Sequence, residues 1–241
     1  MAEDMITVMK RYELKYIISK EQELYLKEAL KGHMEIDKYG LTQIASLYYD
    51  TPDYRLIRAS IEKPPFKEKI RLRSYGLATD SSNVFLELKR KYQGIVYKRR
   101  VVTTIPAVKA FFNDEEDICA DGQIAKEISY FRDYYKNLVP ACLIIYDREA
   151  YYEPNGNLRI TFDGNPRYRI TELDLKTNME GISLLKEGYS ILEIKVQDAM
   201  PLWLTHILEK GKIRKGTFSK YGEAFKKQAE KALVERIISY V

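Results

Sequence analysis

The sequence predicts an α+β fold in which an antiparallel β-sheet closes into a barrel with a polar interior and helices packed outside. Two observations lead to this prediction. Several segments alternate apolar and charged residues, and residues two apart in a strand point to the same face of a sheet. Segments with helical spacing lie between or after these strands, and they can cover the apolar face of the sheet.

Local signals set the elements in the first half of the chain. Ser19 is a favourable N-cap and Gly32 a favourable end for the first helix, and Gly94 marks the turn of a hairpin. The predicted elements, in order, are a strand at 8–18, a helix from Ser19 to about residue 31, strands at 44–50 and 67–75, and a hairpin at 84–100 that continues to 105.

The second half begins with an acidic run at 114–117, whose composition is typical of a solvated loop. Asn155 and Gly156 form a strong hairpin signal. The predicted elements are a helix at 123–135, a strand within 139–152, strands at 158–164 and 190–197, a helix at 201–210 and a C-terminal helix at about 219–240. A chain of 241 residues suits one domain covering 1–241.

Composition excludes several classes of protein. The hydrophobic fraction of 45% supports a full core, and a net charge of +5 excludes a polycation of the histone type. Cys119 and Cys142 show no spacing motif, so we expect no disulfide framework and a cytoplasmic location. No run approaches the roughly 20 apolar residues that span a bilayer. Work at a membrane would therefore require a separate membrane partner.

In strand after strand, charged residues occupy alternate positions, which places them on one face of the sheet; we call this shared position their parity. A single pair, such as Glu87 and Lys89, is ordinarily an exposed cross-strand salt bridge. The repetition favours a shared interior instead, where an excess of Lys and Arg requires a polyanion such as a phosphate chain. Nucleic acid would require basic residues on an outer face with exposed aromatic residues, so we expect no nucleic-acid partner. The residues are Arg11, Glu13, Lys15, Arg71, Arg73, Glu87, Lys89, Lys98, Arg100, Arg148, Arg159, Asp163, Glu193 and Lys195.

The sequence resembles the VTC domain, the polyphosphate polymerase branch of the triphosphate tunnel metalloenzymes, which are related to the CYTH domains. The matching motifs follow the family order and cover almost the whole chain. They are RYELKY at 11–16, LYYDT at 47–51, IRLRSY at 70–75, FLELKRK at 85–91, YKRR at 97–100, YDREAY at 146–151, LRITFD at 158–163, LEIKV at 192–196 and FSKY at 218–221.

The resemblance implies an eight-stranded antiparallel tunnel that binds triphosphate or polyphosphate with Mn²⁺ or Mg²⁺. Glu193 resembles the metal ligand, and Glu13 and Glu87 are further candidates either for metal binding or for holding the lysines. Arg11 stands where the CYTH pattern ExExK has its first glutamate, which favours the VTC branch. The implied phosphate-binding residues are Lys15, Arg71, Arg73, Lys89, Lys98, Arg100, Arg148, Arg159 and Lys220, and the implied catalytic residues are Lys15, Arg71, Arg73, Lys89 and Glu193.

Three functions remain open at this point. The leading hypothesis is a polymerase that moves the γ-phosphate of ATP to a growing polyphosphate chain. A triphosphatase acting on inorganic triphosphate or a nucleotide would use the same residues, and a non-catalytic sensor would only bind polyphosphate. The chain contains no P-loop motif, and His33 and His206 are isolated, so neither a Walker-type nucleotide site nor a zinc site is predicted.

Overall fold

The computed structural model of the chain describes residues 12–93, 95–118, 122–197 and 199–238. Predicted features at Arg11, Gly94 and Cys119 lie outside these ranges. The helices within them are α1 (Lys20–Ala29), α2 (Arg55–Ile61), α3 (Ile105–Phe112), α4 (Gly122–Tyr135), α5 (Leu202–Lys210) and α6 (Lys220–Ile238). The strands are β1 (Tyr12–Ser19), β2 (Glu35–Ile36), β3 (Thr42–Asp50), β4 (Phe66–Tyr75), β5 (Val84–Tyr92), β6 (Ile95–Thr103), β7 (Val139–Tyr152), β8 (Arg159–Arg169), β9 (Ile182–Ser183), β10 (Tyr189–Val196) and β11 (Lys215–Gly216).

All the strands join one antiparallel sheet. Its order is β11-β1-β10-β8-β7-β3-β4-β5-β6, and β2 and β9 pair with β7 and β8 respectively. The α+β class with an antiparallel sheet is thereby confirmed. One face, which we call the inner face, carries Arg71, Glu87 and Lys89, while the outer face carries residues of opposite parity such as Ile70 and Leu88.

The predicted closed eight-stranded barrel is wrong. The described part of the chain contains eleven strands, because three two-residue strands join the eight longer ones, and no ladder joins β6 to β1. The physical reason lies at the edge of β1. Lys15 and Tyr16 pair there with Gly216 and Lys215 of β11, so the middle of this edge is already paired and β6 cannot lie along it.

Helices cover the outer face over two apolar clusters. α3 and α4 contribute Phe111 and Phe131 to one cluster, which packs on β3 to β7. α1 and α5 contribute Leu26 and Leu204 to the other, which packs on β1, β8 and β10. No helix in the described ranges is long and apolar enough to cross a membrane. The predicted arrangement, with helices over the apolar face, is therefore observed.

The inner face is not polar throughout. α2 and α6 lie against it and form a third apolar cluster that includes Ile57, Tyr146 and Tyr221. The segment that leads into α6 also reaches the charged part of this face, where Lys15 Nζ donates to the carbonyl of Phe218 at 3.1 Å. Part of the inner face is thus filled by helices, and the rest remains polar.

Helix ends follow the predicted signals at α1 but not at α2. Ser19 and Gln22 form a reciprocal capping box at α1. The sequence predicts no helix at α2, and the cap residue of this helix, Tyr54, supplies no side-chain acceptor. The backbone N–H groups of Leu56 and Ile57 are instead bound by the carboxylate of Asp50 at 2.8 and 3.0 Å. A side chain from the preceding strand therefore performs the capping role.

Asp50→Ala is expected to destabilise the protein by about 3 kcal/mol or more, because it leaves several buried donors without an acceptor. Asp50 is fully buried and also accepts from the backbone N–H of Thr51 and from the Tyr221 hydroxyl. The free energy of unfolding, measured with denaturant, tests this. Asp53→Ala, at an exposed position three residues further along the chain, is the control, and a loss no larger than that of the control would show that Asp50 does not hold α2 and α6.

Candidate functional site

Like charges face each other across adjacent strands on the inner face. Lys69, Lys89 and Lys98 lie directly opposite one another on β4, β5 and β6. The next row consists of Arg71, Glu87 and Arg100 in the same order. Directly opposed like charges destabilise a sheet unless an anion compensates them. The row of three lysines therefore indicates a surface built to receive negative charge, and the second row holds only one carboxylate between two arginines.

Glu87 lies at the centre of the second row and is 1% exposed. Its carboxylate contacts Arg71 Nη2 at 2.8 Å, Lys98 Nζ at 2.7 Å and Arg100 Nη2 at 2.5 Å, and Arg73 Nη1 lies 3.6 Å away. Burial alone would raise the pKa of Glu87, but Arg71, Arg73 and Lys98 lower it well below its usual range. Glu87 is therefore ionised and holds these cations in place, one of the two roles considered for it.

Asp163 forms a second anionic centre on β8. It is fully buried and receives two bonds from the Arg148 guanidinium, at 2.6 and 2.8 Å. Lys220 Nζ, at the start of α6, lies 2.5 Å from Asp163 Oδ2, which also accepts from Arg148 Nη2. Burial would raise the pKa of Asp163, but Lys220 and Arg148 lower it to about 2. This carboxylate thus joins β7, β8 and α6 at one point of the inner face.

Glu193 and Glu13 form the third group, on neighbouring strands. Glu193 lies 2.8 Å from Lys195 Nζ and 3.9 Å from Lys15 Nζ. Glu13 accepts from Lys89 Nζ at 2.9 Å. Because β1 and β5 stand near opposite ends of the strand order, the Lys89–Glu13 pair shows that the open sheet curls until its inner side chains meet.

Two buried tyrosines line the same face. The Tyr48 hydroxyl accepts from Arg71 Nη1 at 2.9 Å, and the Tyr146 hydroxyl accepts from Arg73 Nη2 at 3.1 Å. Burial would raise the pKa of Tyr48, yet Arg71 and other neighbouring cations lower it. These hydroxyls fix the arginine side chains, which removes part of the entropy cost of binding a ligand.

Together these side chains form what we call the inner-face cluster, with ten cations and four carboxylates. The cations outnumber the carboxylates by six, and this excess of positive charge is costly in a partly buried site unless a polyanion binds. The cations are Lys15, Lys69, Arg71, Arg73, Lys89, Lys98, Arg100, Arg148, Lys195 and Lys220, and the carboxylates are Glu13, Glu87, Asp163 and Glu193.

Within the described residues, no three His, Cys, Asp or Glu side chains lie close enough together to hold a metal ion by themselves. Glu193 and Glu13 are nevertheless close enough to interact electrostatically. Burial would raise the pKa of Glu193, but Lys195 and Lys15 lower it well below its usual range. An ionised carboxylate and phosphate oxygens form the all-oxygen ligand set that suits Mg²⁺ and Mn²⁺.

Nearly all the sequence-derived candidates lie in the inner-face cluster, but Arg159 does not. Its guanidinium bonds Asp37 at 2.9 Å, and its side chain is 51% exposed. Arg159 shares the inner parity of β8 but stands at the end of that strand. The alternation in the sequence includes Asp163 and Lys195 but gives them no role. It does not single out Lys69, although Lys69 shares the parity of Arg71 and Arg73.

Comparisons with known proteins support a shared fold. The model of the VTC domain family matches residues 10–228. A candidate adenylate cyclase from Bacillus halodurans aligns at a TM-score of 0.54 with 14% identity, over 88% of this chain and 96% of its own. A candidate adenylyl cyclase from Hippeastrum, described as having a dominant triphosphatase activity, aligns at 0.50 with 15% identity, over 87% and 92%. No curated protein matched significantly by sequence.

Proposed function

The chain belongs to the VTC domain family, and from that premise we propose that it is a polyphosphate polymerase that uses ATP as phosphate donor. The observation that carries the proposal is the inner-face cluster, with six more cations than carboxylates. Such a surface suits a ligand with several adjacent negative charges. ATP and a phosphate chain both have this property.

The proposed step needs alignment and charge neutralisation more than covalent participation by the protein. An oxygen of the terminal phosphate of the chain attacks the γ-phosphorus of ATP. The bond from that phosphorus to the β,γ-bridging oxygen breaks, and ADP leaves with the electron pair. Arg71, Arg73 and Arg148 are suited to bind phosphate oxygens through two N–H groups. Lys15, Lys69 and Lys89 place further charges beside them.

Glu193 fits the role of the ligand for Mn²⁺ or Mg²⁺, because it is ionised and lies among the cations that would hold phosphates. Glu13 is close enough to assist it. The metal, when bound, would neutralise charge on the transferred phosphoryl group. The remaining ligands would come from phosphate oxygens and water, since no group of three protein ligands is present among the described residues.

A triphosphatase is the second candidate function, with water in place of the chain terminus. It is favoured by the structural similarity to the Hippeastrum protein, which is described as having a dominant triphosphatase activity. Because no ladder joins β6 to β1 among the described residues, water would also have a route to the inner face between them. The same residues would bind the phosphates in both enzymes, so the product must distinguish them.

Phosphorus-31 NMR of the purified protein with ATP and Mn²⁺ distinguishes the functions. We expect a signal from mid-chain phosphates that grows as ATP is consumed, and no such signal when the metal is omitted. Orthophosphate without mid-chain signal would contradict the polymerase and support the triphosphatase. No turnover in a protein that still binds inorganic triphosphate would contradict both enzymes and support a non-catalytic sensor.

Affinity for inorganic triphosphate is expected to fall between about pH 7 and pH 9. Burial lowers the pKa of Lys69 to about 8, with smaller contributions from nearby lysines, and burial likewise lowers that of Lys98 to about 8. A bound polyanion favours the charged form, so each lysine contributes fully below its pKa in the free protein and loses its contribution above it. Calorimetric titration across this range measures the fall.

Lys69→Arg tests the origin of that pH dependence. Arginine stays protonated throughout the range, so the variant should lose less affinity at high pH than the wild type does. Protonation of the ligand is common to both proteins and cancels in the comparison. Lys31→Arg, at an exposed lysine, is the control and should keep the wild-type profile. Identical profiles for all three proteins would exclude Lys69 from the site.

A further inference from the structure

One end of the inner face is aromatic. Tyr75 and Phe85 form an edge-to-face pair with ring centroids 5.5 Å apart and an interplanar angle of 82°. The Arg100 guanidinium lies over the Phe85 ring, 4.7 Å from its centroid. Tyr75 is 48% exposed. Three planar groups therefore meet at this end, and Tyr75 presents much of its ring to solvent. We call these groups, the rings of Tyr75 and Phe85 and the guanidinium of Arg100, the aromatic ledge.

The aromatic ledge continues the cationic rows. Tyr75, Arg73, Arg71 and Lys69 alternate along β4 and therefore share the inner face. With a rise of about 3.3 Å per residue, Tyr75 stands about 13 Å from the Arg71 row and about 20 Å from the Lys69 row. A ligand lying along β4 would thus meet a flat apolar surface first, and charges after it.

The opposite end of the same face has a different character. Lys67 and Lys91 lie directly opposite each other on β4 and β5, one row beyond Lys69 and Lys89. Lys91 is exposed, and Lys63 is close enough to interact electrostatically with Lys67. The inner face therefore runs from an aromatic end, through the inner-face cluster, to an end that carries several lysines.

We propose that the aromatic ledge binds the nucleobase of a nucleoside triphosphate whose phosphates extend along β4 towards Lys69. This inference deepens the proposed function, because it assigns the donor nucleotide an orientation. The order of groups matches a nucleotide, which has a flat base at one end and a run of phosphates at the other. Stacking on Tyr75 and on the Arg100 plane recognises any base through its π face. The lysine end is then left for the chain that accepts the phosphate.

The test compares two ligands that differ in the base. Binding of a non-hydrolysable ATP analogue and of inorganic triphosphate is measured calorimetrically in wild type and in Tyr75→Ala. We expect the dissociation constant of the nucleotide to rise about tenfold in the variant, as stacking energies of single bases indicate, while that of triphosphate changes less than about twofold. Tyr75→Phe keeps the ring and should bind both ligands like wild type.

Tyr92→Ala is the matched control, because Tyr92 has the same exposed fraction of 48% but lies at the far end of β5 with outer parity. It should leave both affinities unchanged. The inference would be overturned if Tyr75→Ala lost affinity equally for both ligands, or if it lost no affinity for the nucleotide. A wild type that binds triphosphate but no nucleotide would overturn it as well. Because binding is measured without turnover, these outcomes are independent of whether the NMR experiment detects a polymer.

Discussion

Replacement of Glu193 by glutamine is expected to abolish metal-dependent turnover while the fold persists. Glutamine keeps the shape of the side chain and an oxygen that can accept a hydrogen bond from Lys195. In the wild type, Lys195 Nζ lies 2.8 Å from the carboxylate of Glu193. It removes the negative charge that a divalent cation needs at this point. Metal ions contribute several kcal/mol of transition-state stabilisation, so turnover should fall at least about 100-fold.

Turnover as a function of Mn²⁺ concentration, with circular dichroism and thermal unfolding on the same samples, tests this expectation. Lys15 and Lys195 are partly exposed, so loss of their partner carboxylate should change stability little. Glu209→Gln, at an exposed position of α5, should behave as wild type. Retention of metal-dependent turnover in Glu193→Gln would show that the metal ligand lies elsewhere.

Strand faces could be predicted from the sequence because alternation with a period of two needs no knowledge of neighbouring strands. Leu86 and Leu88 lie on the buried outer face, and Glu87 and Lys89 lie on the inner face, as their parity indicates. Parity does not specify which strands are neighbours. That Glu87 is surrounded by cations from β4 and β6 depends on register, which a single sequence does not provide.

Whether the sheet closes into a barrel could not be predicted for a related reason. The element that occupies the edge of β1 is β11, which has only two residues, Lys215 and Gly216, and therefore no alternation to detect. α2 was missed because its seven residues are too few for a clear periodic pattern. Its amide groups are bound by Asp50, which lies outside the helix. Both features depend on contacts between segments that are separated along the chain.

Parity also leaves the position of a residue along its strand undetermined. Arg159 has the same parity as Asp163, yet it stands at the strand end and bonds Asp37. Lys69 has the same parity as Arg71 and lies within the inner-face cluster, where it donates to Ser219 at 3.2 Å. Parity alone cannot tell which of these residues lies within the inner-face cluster, because it specifies the face of the sheet but not the distance from the strand end.

Arg71→Ala is expected to weaken binding of inorganic triphosphate by about 10- to 100-fold. Arg71 contacts Glu87 through Nε and Nη2, at 2.9 and 2.8 Å, and Tyr48 through Nη1, and these bonds hold its guanidinium in position. Hydrogen bonds to charged groups contribute about 1.5–3 kcal/mol, which corresponds to this range of affinity. Calorimetric titration of wild type and variant under the same salt conditions measures it.

The variant should fold, because Glu87 keeps contacts with Arg73, Lys98 and Arg100 when Arg71 is removed. Arg71→Lys should bind with intermediate affinity, since lysine retains the charge but not the paired N–H groups. Arg58→Ala, at an exposed position of α2, is the control for the loss of one positive charge and should change affinity less than about twofold. Unchanged affinity in Arg71→Ala would contradict the inner-face site.

Arg159→Ala tests where on the inner face the triphosphate binds. Arg159 is half exposed and already paired with Asp37, so its removal should weaken triphosphate binding less than about threefold if the ligand is centred on the Glu87 row. An effect as large as that of Arg71→Ala would mean that the phosphates lie along β8 instead. The ratio of the two effects therefore locates the polyanion on the inner face.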